Sequence, residues 1–281
     1  MKIIFCIISA MLLFSCGNKN NNSNSQTDSR NDSLSVVNAI DSTSEDVNGL
    51  LNLFSKNKTA ILKKLQTVSK EEANRLYEAY SKENQITLAE ITASELDILD
   101  RFYHDDIESK NQIKELGESL KKHDLVFEEL GEGYVEITTT PNFYDTIFSH
   151  YVTEDYKAYL SIIKEENKSL YSADAGLVIS FRELGERIIT WENFMEQYPN
   201  SPLVEQVKEN YRFYQHDYLI GLDNTPTIER ANPDSLYIYP ENREEFSRFI
   251  TKYPDSPTSK LVHFFLENFR SKNINDLITE E

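Results

Sequence analysis

One segment of this chain occurs twice, and that repetition constrains the fold more than any other feature. Trp191-Glu192-Asn193-Phe194-Met195-Glu196-Gln197-Tyr198-Pro199-Asn200-Ser201-Pro202 aligns with Phe246-Ser247-Arg248-Phe249-Ile250-Thr251-Lys252-Tyr253-Pro254-Asp255-Ser256-Pro257, and Val207 and Tyr214 then match Val262 and Phe269. In each copy a helix must stop before the first Pro, which has no N–H to continue the ladder. Ser then caps the next helix, and the second Pro occupies that helix's first turn, where a missing N–H is harmless. The aromatic residues share one face and are expected to pack on the following helix. Two helix–turn–helix hairpins follow, over about residues 185–217 and 240–271, with Gly221 to Pro240 as an insert between them.

The aromatic, three residues, Tyr-Pro-Asn/Asp-Ser-Pro pattern resembles the turns of tetratricopeptide-like repeats in bacterial cell-envelope lipoproteins, among them the outer-membrane β-barrel assembly lipoprotein. The resemblance implies a helical scaffold that holds another envelope protein. The two copies lie 55 residues apart (Pro199 to Pro254), well beyond the ~34 of a regular tetratricopeptide array. A degenerate repeat and two similar hairpins in one α-domain both remain open.

The rest of the domain reads the same way. Leu50, Leu51, Leu53, Phe54, Ile61, Leu62 and Leu65 recur at helical spacing. Ser69 with Glu72, and Ser180 with Glu183, have the form of capping boxes, and Thr153 is placed to cap a helix through Tyr156, Tyr159, Leu160 and Ile163. A helix is expected from about Ala93 through Leu99, Phe102 and Tyr103, continuing to Leu120. Leu125 to Thr138 alternates β-prone residues around Gly131-Glu132-Gly133 and predicts a small hairpin. Ala173 to Ile179 reads as a buried apolar connector. The fold class expected is mainly α, a degenerate tetratricopeptide-like helical-hairpin domain with one small β-hairpin near 125–138.

The N-terminus carries an address. Lys2 precedes an apolar run from Ile3 to Phe14 that leads into Ser15-Cys16-Gly17. That run has the form of a short signal-peptide h-region and falls well short of the ~20 residues a membrane span needs. Leu13-Phe14-Ser15-Cys16 resembles the lipobox of bacterial lipoproteins. The resemblance implies cleavage before Cys16, a diacylglycerol on its sulfur, a further acyl chain on the freed amine, and stable membrane anchoring by two or three chains. Cys6 and Cys16 are the only cysteines, so processing would leave no thiol in the folded part, which fits an oxidising compartment. From Gly17 to about Ser35 the residues are almost all polar, too little apolar surface to offset ordering entropy, and read as a flexible tether. The organisation expected is a leader at 1–15, lipidated Cys16 and tether at 16–47, a helical region with the hairpin at 48–180, and helical-hairpin repeats at 181–281.

Charge and motif content narrow the function. A formal charge of −18 argues against nucleic acid, whose phosphates demand basic patches. The five histidines (His104, His123, His150, His216, His263) form no metal-ligand spacing, and no nucleophile elbow, P-loop or dinucleotide fingerprint occurs. No catalytic residue, metal or cofactor is assigned. The paired acids Glu128-Glu129, Glu165-Glu166 and Glu244-Glu245 are what a glycosidase would need, yet in a chain with 47 acids such pairs arise by chance. Trp191, Tyr198 and Tyr253 are candidate groove residues, although such aromatics are more often core, and Asp223 with Asn224 is a candidate ligand turn for which a structural turn is the favoured reading. The function expected is a non-catalytic binding or scaffolding lipoprotein of the cell envelope, partnered by the membrane and another envelope protein. In a two-membrane cell the periplasmic face of the outer membrane is its expected place. The alternative is a glycan-acting or carbohydrate-binding lipoprotein with acids and aromatics in a cleft.

Overall fold

Helical periodicity builds the first half. The computed structural model describes residues 47–232, 235–271 and 274, all within one unit, residues 45–281. The expected leader, Cys16 and the expected tether as far as residue 46 lie outside the described residues. Helix α1 (Val47–Leu65) turns Leu50, Leu51, Phe54, Ile61 and Leu65 inward and leaves Leu53 exposed. It packs on α2 (Lys70–Ser94), whose N-cap Ser69 accepts from the Glu72 N–H as the capping box requires.

The helix expected from Ala93 to Leu120 is broken. After α2 the chain makes a single turn, α3 (Leu96–Leu99), passes through tight turns over 100–105, and starts α4 (Ile107–Lys121) at Asp106. The Asp106 carboxylate accepts from the Ser109 N–H at 2.9 Å, so a helix-starting residue wins over apolar periodicity here. Phe102, in the break, instead packs on Phe127 of the following hairpin, ring centroids 5.2 Å apart. That hairpin is β1 (Leu125–Gly131) paired antiparallel with β2 (Tyr134–Thr139), with a register shift at Glu129/Gly131.

Two short helices follow, α5 (Phe143–Phe148) and α6 (Glu154–Glu166). Thr153 sits at the N-cap of α6, but its hydroxyl does not cap: it donates to Asp155, while Asn74 of α2 takes the Thr153 N–H at 3.1 Å. The segment expected as a buried connector is a second hairpin, β3 (Ser172–Ala173) and β4 (Gly176–Leu177), turning through Asp174 and Ala175 at φ 48° and 51°. Two successive left-handed residues make the turn that matches strand twist. The tip is exposed, and Val178 is 57% accessible.

Helix α7 (Phe181–Gln197), capped by Ser180, and α8 (Val204–Ile220) form the first expected helical hairpin. Ser201 Oγ accepts from the Leu203 N–H at 3.3 Å, but the N-cap position of α8 itself falls at Leu203. The Ser201 hydroxyl donates to Asp155 of α6 at 2.5 Å, and α8 begins only after a turn through Pro202 and Leu203. The insert then resolves into two further hairpins, β5 (Gly221–Leu222) with β6 (Thr225–Pro226), and β7 (Ile228–Asn232) with β8 (Ser235–Ile238). Helices α9 (Pro240–Lys252) and α10 (Pro257–Asn268) complete the second copy, with Ser256 as N-cap and Pro257 in the first turn as expected.

The fold is thus mainly α with small two-stranded hairpins, and the hairpins belong to the repeat. A β-hairpin precedes each helical pair: β1–β2 before α5–α6, β3–β4 before α7–α8, and β5 to β8 before α9–α10. The first unit keeps the same spacing. Phe143, Trp191 and Phe246 stand ten residues before Thr153, Ser201 and Ser256, and Tyr159, Val207 and Val262 stand six after them; all six core residues are buried. The hairpins touch in sequence. The Asn224 N–H donates to Ala175 O at 2.9 Å, the Leu177 N–H donates to Thr225 Oγ1 at 2.9 Å, and a Cβ at Gly131 would lie 2.7 Å from the Asp174 nitrogen.

Gly221 terminates α8 at φ 82° and ψ −171°, and a Cβ there would stand 2.2 Å from Thr225 O. Gly221→Ala should therefore combine backbone strain with a backbone clash and lower stability by about 2–4 kcal/mol. Urea denaturation of the variant checks this; a midpoint equal to that of the parent would refute it.

Candidate functional site

An open groove of about 1770 Å³ lies beside the two helical hairpins of the repeat, walled by α7, α8, the α9–α10 turn and α10. Its floor is polar and internally bonded. Glu192 Oε1 accepts from Tyr211 Oη at 2.8 Å, Ser256 Oγ at 2.9 Å, and Thr258 through both its hydroxyl at 2.6 Å and its N–H at 3.3 Å. Gln215 Nε2 donates to Tyr211 Oη at 2.7 Å and Thr258 Oγ1 at 2.8 Å. Burial, joined by the Glu192 charge, pushes the Tyr211 phenol far above its ordinary range.

Above that floor the groove presents apolar side chains and charges. Phe213 is 68% exposed, while Met195, Leu261 and Phe264 are half-buried. On the far side of the wall Glu186 joins α7 to α9. It accepts from Tyr253 Oη, from Arg248 Nη1 at 3.0 Å and from Lys252 Nζ at 3.0 Å. Partial burial opposes its ionisation, but the hydrogen bonds from Tyr253 and Lys252 and the charges of Lys252 and Arg248 hold its carboxyl below the usual range.

Of the five sequence candidates, only Tyr253 lines this groove. Trp191 is fully buried and donates from Nε1 to Glu166 Oε1 at 2.8 Å, so it is core with a satisfied polar tip. Tyr198 is half-buried against Phe194, ring centroids 5.3 Å apart. Asp223 and Asn224 form the exposed tip of β5–β6, where the Asn224 side chain donates to Asp174 O. The likeness between Asn224 and a ligand-binding residue is thus accounted for by a bond between neighbouring hairpins.

Of the paired acids, Glu166 is the unusual one. Only 7% exposed, it accepts from Trp191 of α7 and, at 3.0 Å, from Tyr214 of α8. Burial raises its carboxyl above the usual range, against the opposing charge of Arg187 and the hydrogen bonds of Tyr214 and Trp191.

One pairing escaped sequence reading because its members are 68 residues apart: Ser55 Oγ lies 2.6 Å from His123 Nδ1. A serine beside an imidazole is the start of a nucleophile–base pair. Ser55, however, lies inside α1, where the surrounding N–H groups are spent in the helix ladder and leave no oxyanion donors. The neighbouring Asp124 carboxylate is engaged by Lys58 Nζ at 2.7 Å. The pair pins α1 to the turn before β1.

Among the described residues no cluster of three His, Cys, Asp or Glu is arranged to hold a metal, and no helix is long and apolar enough to cross a membrane. Comparison with protein-family models, curated proteins and solved structures finds no match.

The raised carboxyl of Glu166 fixes a sign. A carboxyl whose folded-state pKa exceeds its unfolded value contributes stability below the unfolded pKa and loses it as pH rises through the folded pKa. Glu166→Gln keeps an acceptor for Trp191 and a donor for Tyr214, so it should stay within about 1 kcal/mol of the parent at pH 5 and gain on it toward pH 8. Glu166→Ala leaves both donors unpaired and should cost about 2–4 kcal/mol. Denaturant titrations at the two pH values decide; a parent-to-Gln difference independent of pH would refute the assignment.

Proposed function

We propose that this chain is a lipid-anchored protein of the cell envelope, tethered through Cys16, that binds or scaffolds another envelope protein in the groove beside α7, α8 and α10. In a two-membrane cell its place is the periplasmic face of the outer membrane. The observation that carries the reading is Phe213, a 68% exposed aromatic on the wall of a groove of about 1770 Å³. An aromatic left in water beside a concavity is the form of a binding anchor.

A glycan ligand is the second reading, because the groove also holds aromatics and carboxylates. It is the weaker one. The floor carboxylate Glu192 and the hydroxyls of Tyr211 and Thr258 already bond one another, and a sugar needs such groups free.

Two measurements test the proposal. A photo-crosslinking phenylalanine analogue in place of Phe213, in the full chain in intact cells, should give a discrete protein adduct. The same analogue at Tyr134, an equally exposed hairpin-tip residue at 69%, should not. No protein adduct from 213 would sink the binding reading. For the anchor, a fatty-acid analogue fed to the cells should label the chain, and Cys16→Ser should abolish the label and move the protein into the soluble fraction. Persistent label in that variant would rule out Cys16 as the lipidated residue.

A further inference from the structure

We infer that the segment seated in this groove is an amphipathic α-helix carrying acidic and basic residues on the flanks of one apolar stripe. The inference rests on the binding reading above and names the chemistry of its partner. Three observations lead to it.

The groove is walled by helices and the α9–α10 turn, and none of its lining residues belongs to a strand. An extended peptide would find no sheet edge to pair with and would leave its own N–H and C=O groups unsatisfied against the wall. A helix satisfies its backbone internally and packs its ridges between those of its neighbours.

The free surface is apolar where the floor is closed. Glu192, Tyr211, Gln215 and Thr258 are bonded to one another. What remains to a partner is the face of Phe213 on α8 and of Leu261 and Phe264 on α10. The spacing from Leu261 to Phe264 is one helical turn, so the contact it offers is a stripe along a parallel or antiparallel helix.

The uncommitted charges are of both signs. Lys208 and Lys252 are already paired with Glu205 at 2.8 Å and Glu186 at 3.0 Å. Arg212 and Lys260, beside Phe213 and Leu261, form no ion pair within 4.0 Å among the described residues, and neither do Glu196, Glu209 and Asp255. A uniformly acidic or uniformly basic helix would gain at one set and be repelled by the other. A helix with acids facing Arg212 and Lys260 and a base facing Glu209 meets both.

The test uses the full chain in cells, with the crosslinking analogue at 213. Mass spectrometry of the adduct should place the crosslink on a single amphipathic helical segment of another protein with both charge signs on its flanks. The double change Arg212→Glu and Lys260→Glu, in a chain whose circular dichroism is unchanged, should cut adduct yield about tenfold, and reversing the facing acids of the partner to Lys should restore it. A crosslink to an extended segment, to one of a single charge sign, to a second copy of this chain, or a yield indifferent to the charge reversal overturns the inference while leaving the binding reading intact. Absence of any protein adduct defeats both.

Discussion

At both junctions between successive repeat units a carboxylate of the earlier unit grips the turn serine that precedes the second helix of the later one. Asp155 of α6 takes the Ser201 hydroxyl at 2.5 Å, and Glu192 of α7 takes the Ser256 hydroxyl at 2.9 Å. A helical pair of this size is too small to bury its apolar face alone, and stacking against neighbours supplies the continuous core. Apolar stacking has no inherent register, however. The charge-assisted bonds to these serines supply one, because each fixes the turn before a helix in one unit against a helix of the unit before. Partial burial opposes ionisation of Asp155, but the bonds from Ser201 and Thr153 and nearby backbone N–H groups hold its carboxyl below the usual range.

The groove is a consequence of the second of these grips. With Glu192 committed to Ser256 and Thr258, the start of α10 is held against α7, and Tyr211 and Gln215 of α8 close the floor through the same threonine. A floor whose donors and acceptors are all directed inward is rigid and offers a ligand little hydrogen bonding. On the binding reading proposed above, recognition falls to Phe213 and to charges on the rim. That division suits a protein partner, for which a few apolar anchors carry affinity and rim charges set orientation and specificity.

The helical hairpins were legible because proline and capping serine act locally: Ser69, Ser180 and Ser256 cap as their sequence context requires. The first unit was hidden for the same reason. His150-Tyr151-Val152-Thr153 lacks both prolines, and only the spacing of Phe143 and Tyr159 about Thr153 preserves the repeat. The short hairpins escaped too. A two-residue strand carries no alternation to read, and Asp174 and Ala175 adopt left-handed backbone without a glycine. Their stability comes from bonds between hairpins, and such partners are distant in sequence.

The site was less legible, because an aromatic residue looks alike whether it faces a core or a groove. Trp191 drew attention by size, yet its Nε1 reaches the buried carboxylate of Glu166, which also takes the Tyr214 hydroxyl. A carboxylate at 7% exposure is tolerable only when its acceptor sites are filled, so Trp191 and Tyr214 are required where they stand and neither is spare for a ligand. Phase along the helix distinguishes such residues from an anchor. On α8 the buried positions Val207, Tyr214 and Tyr218 recur at intervals of seven and four, and Phe213 falls one residue out of that register, next to Arg212. An aromatic displaced from the buried stripe onto a charged face has no packing reason to be there, and that displacement is the mark in the sequence that separates the groove wall from the core.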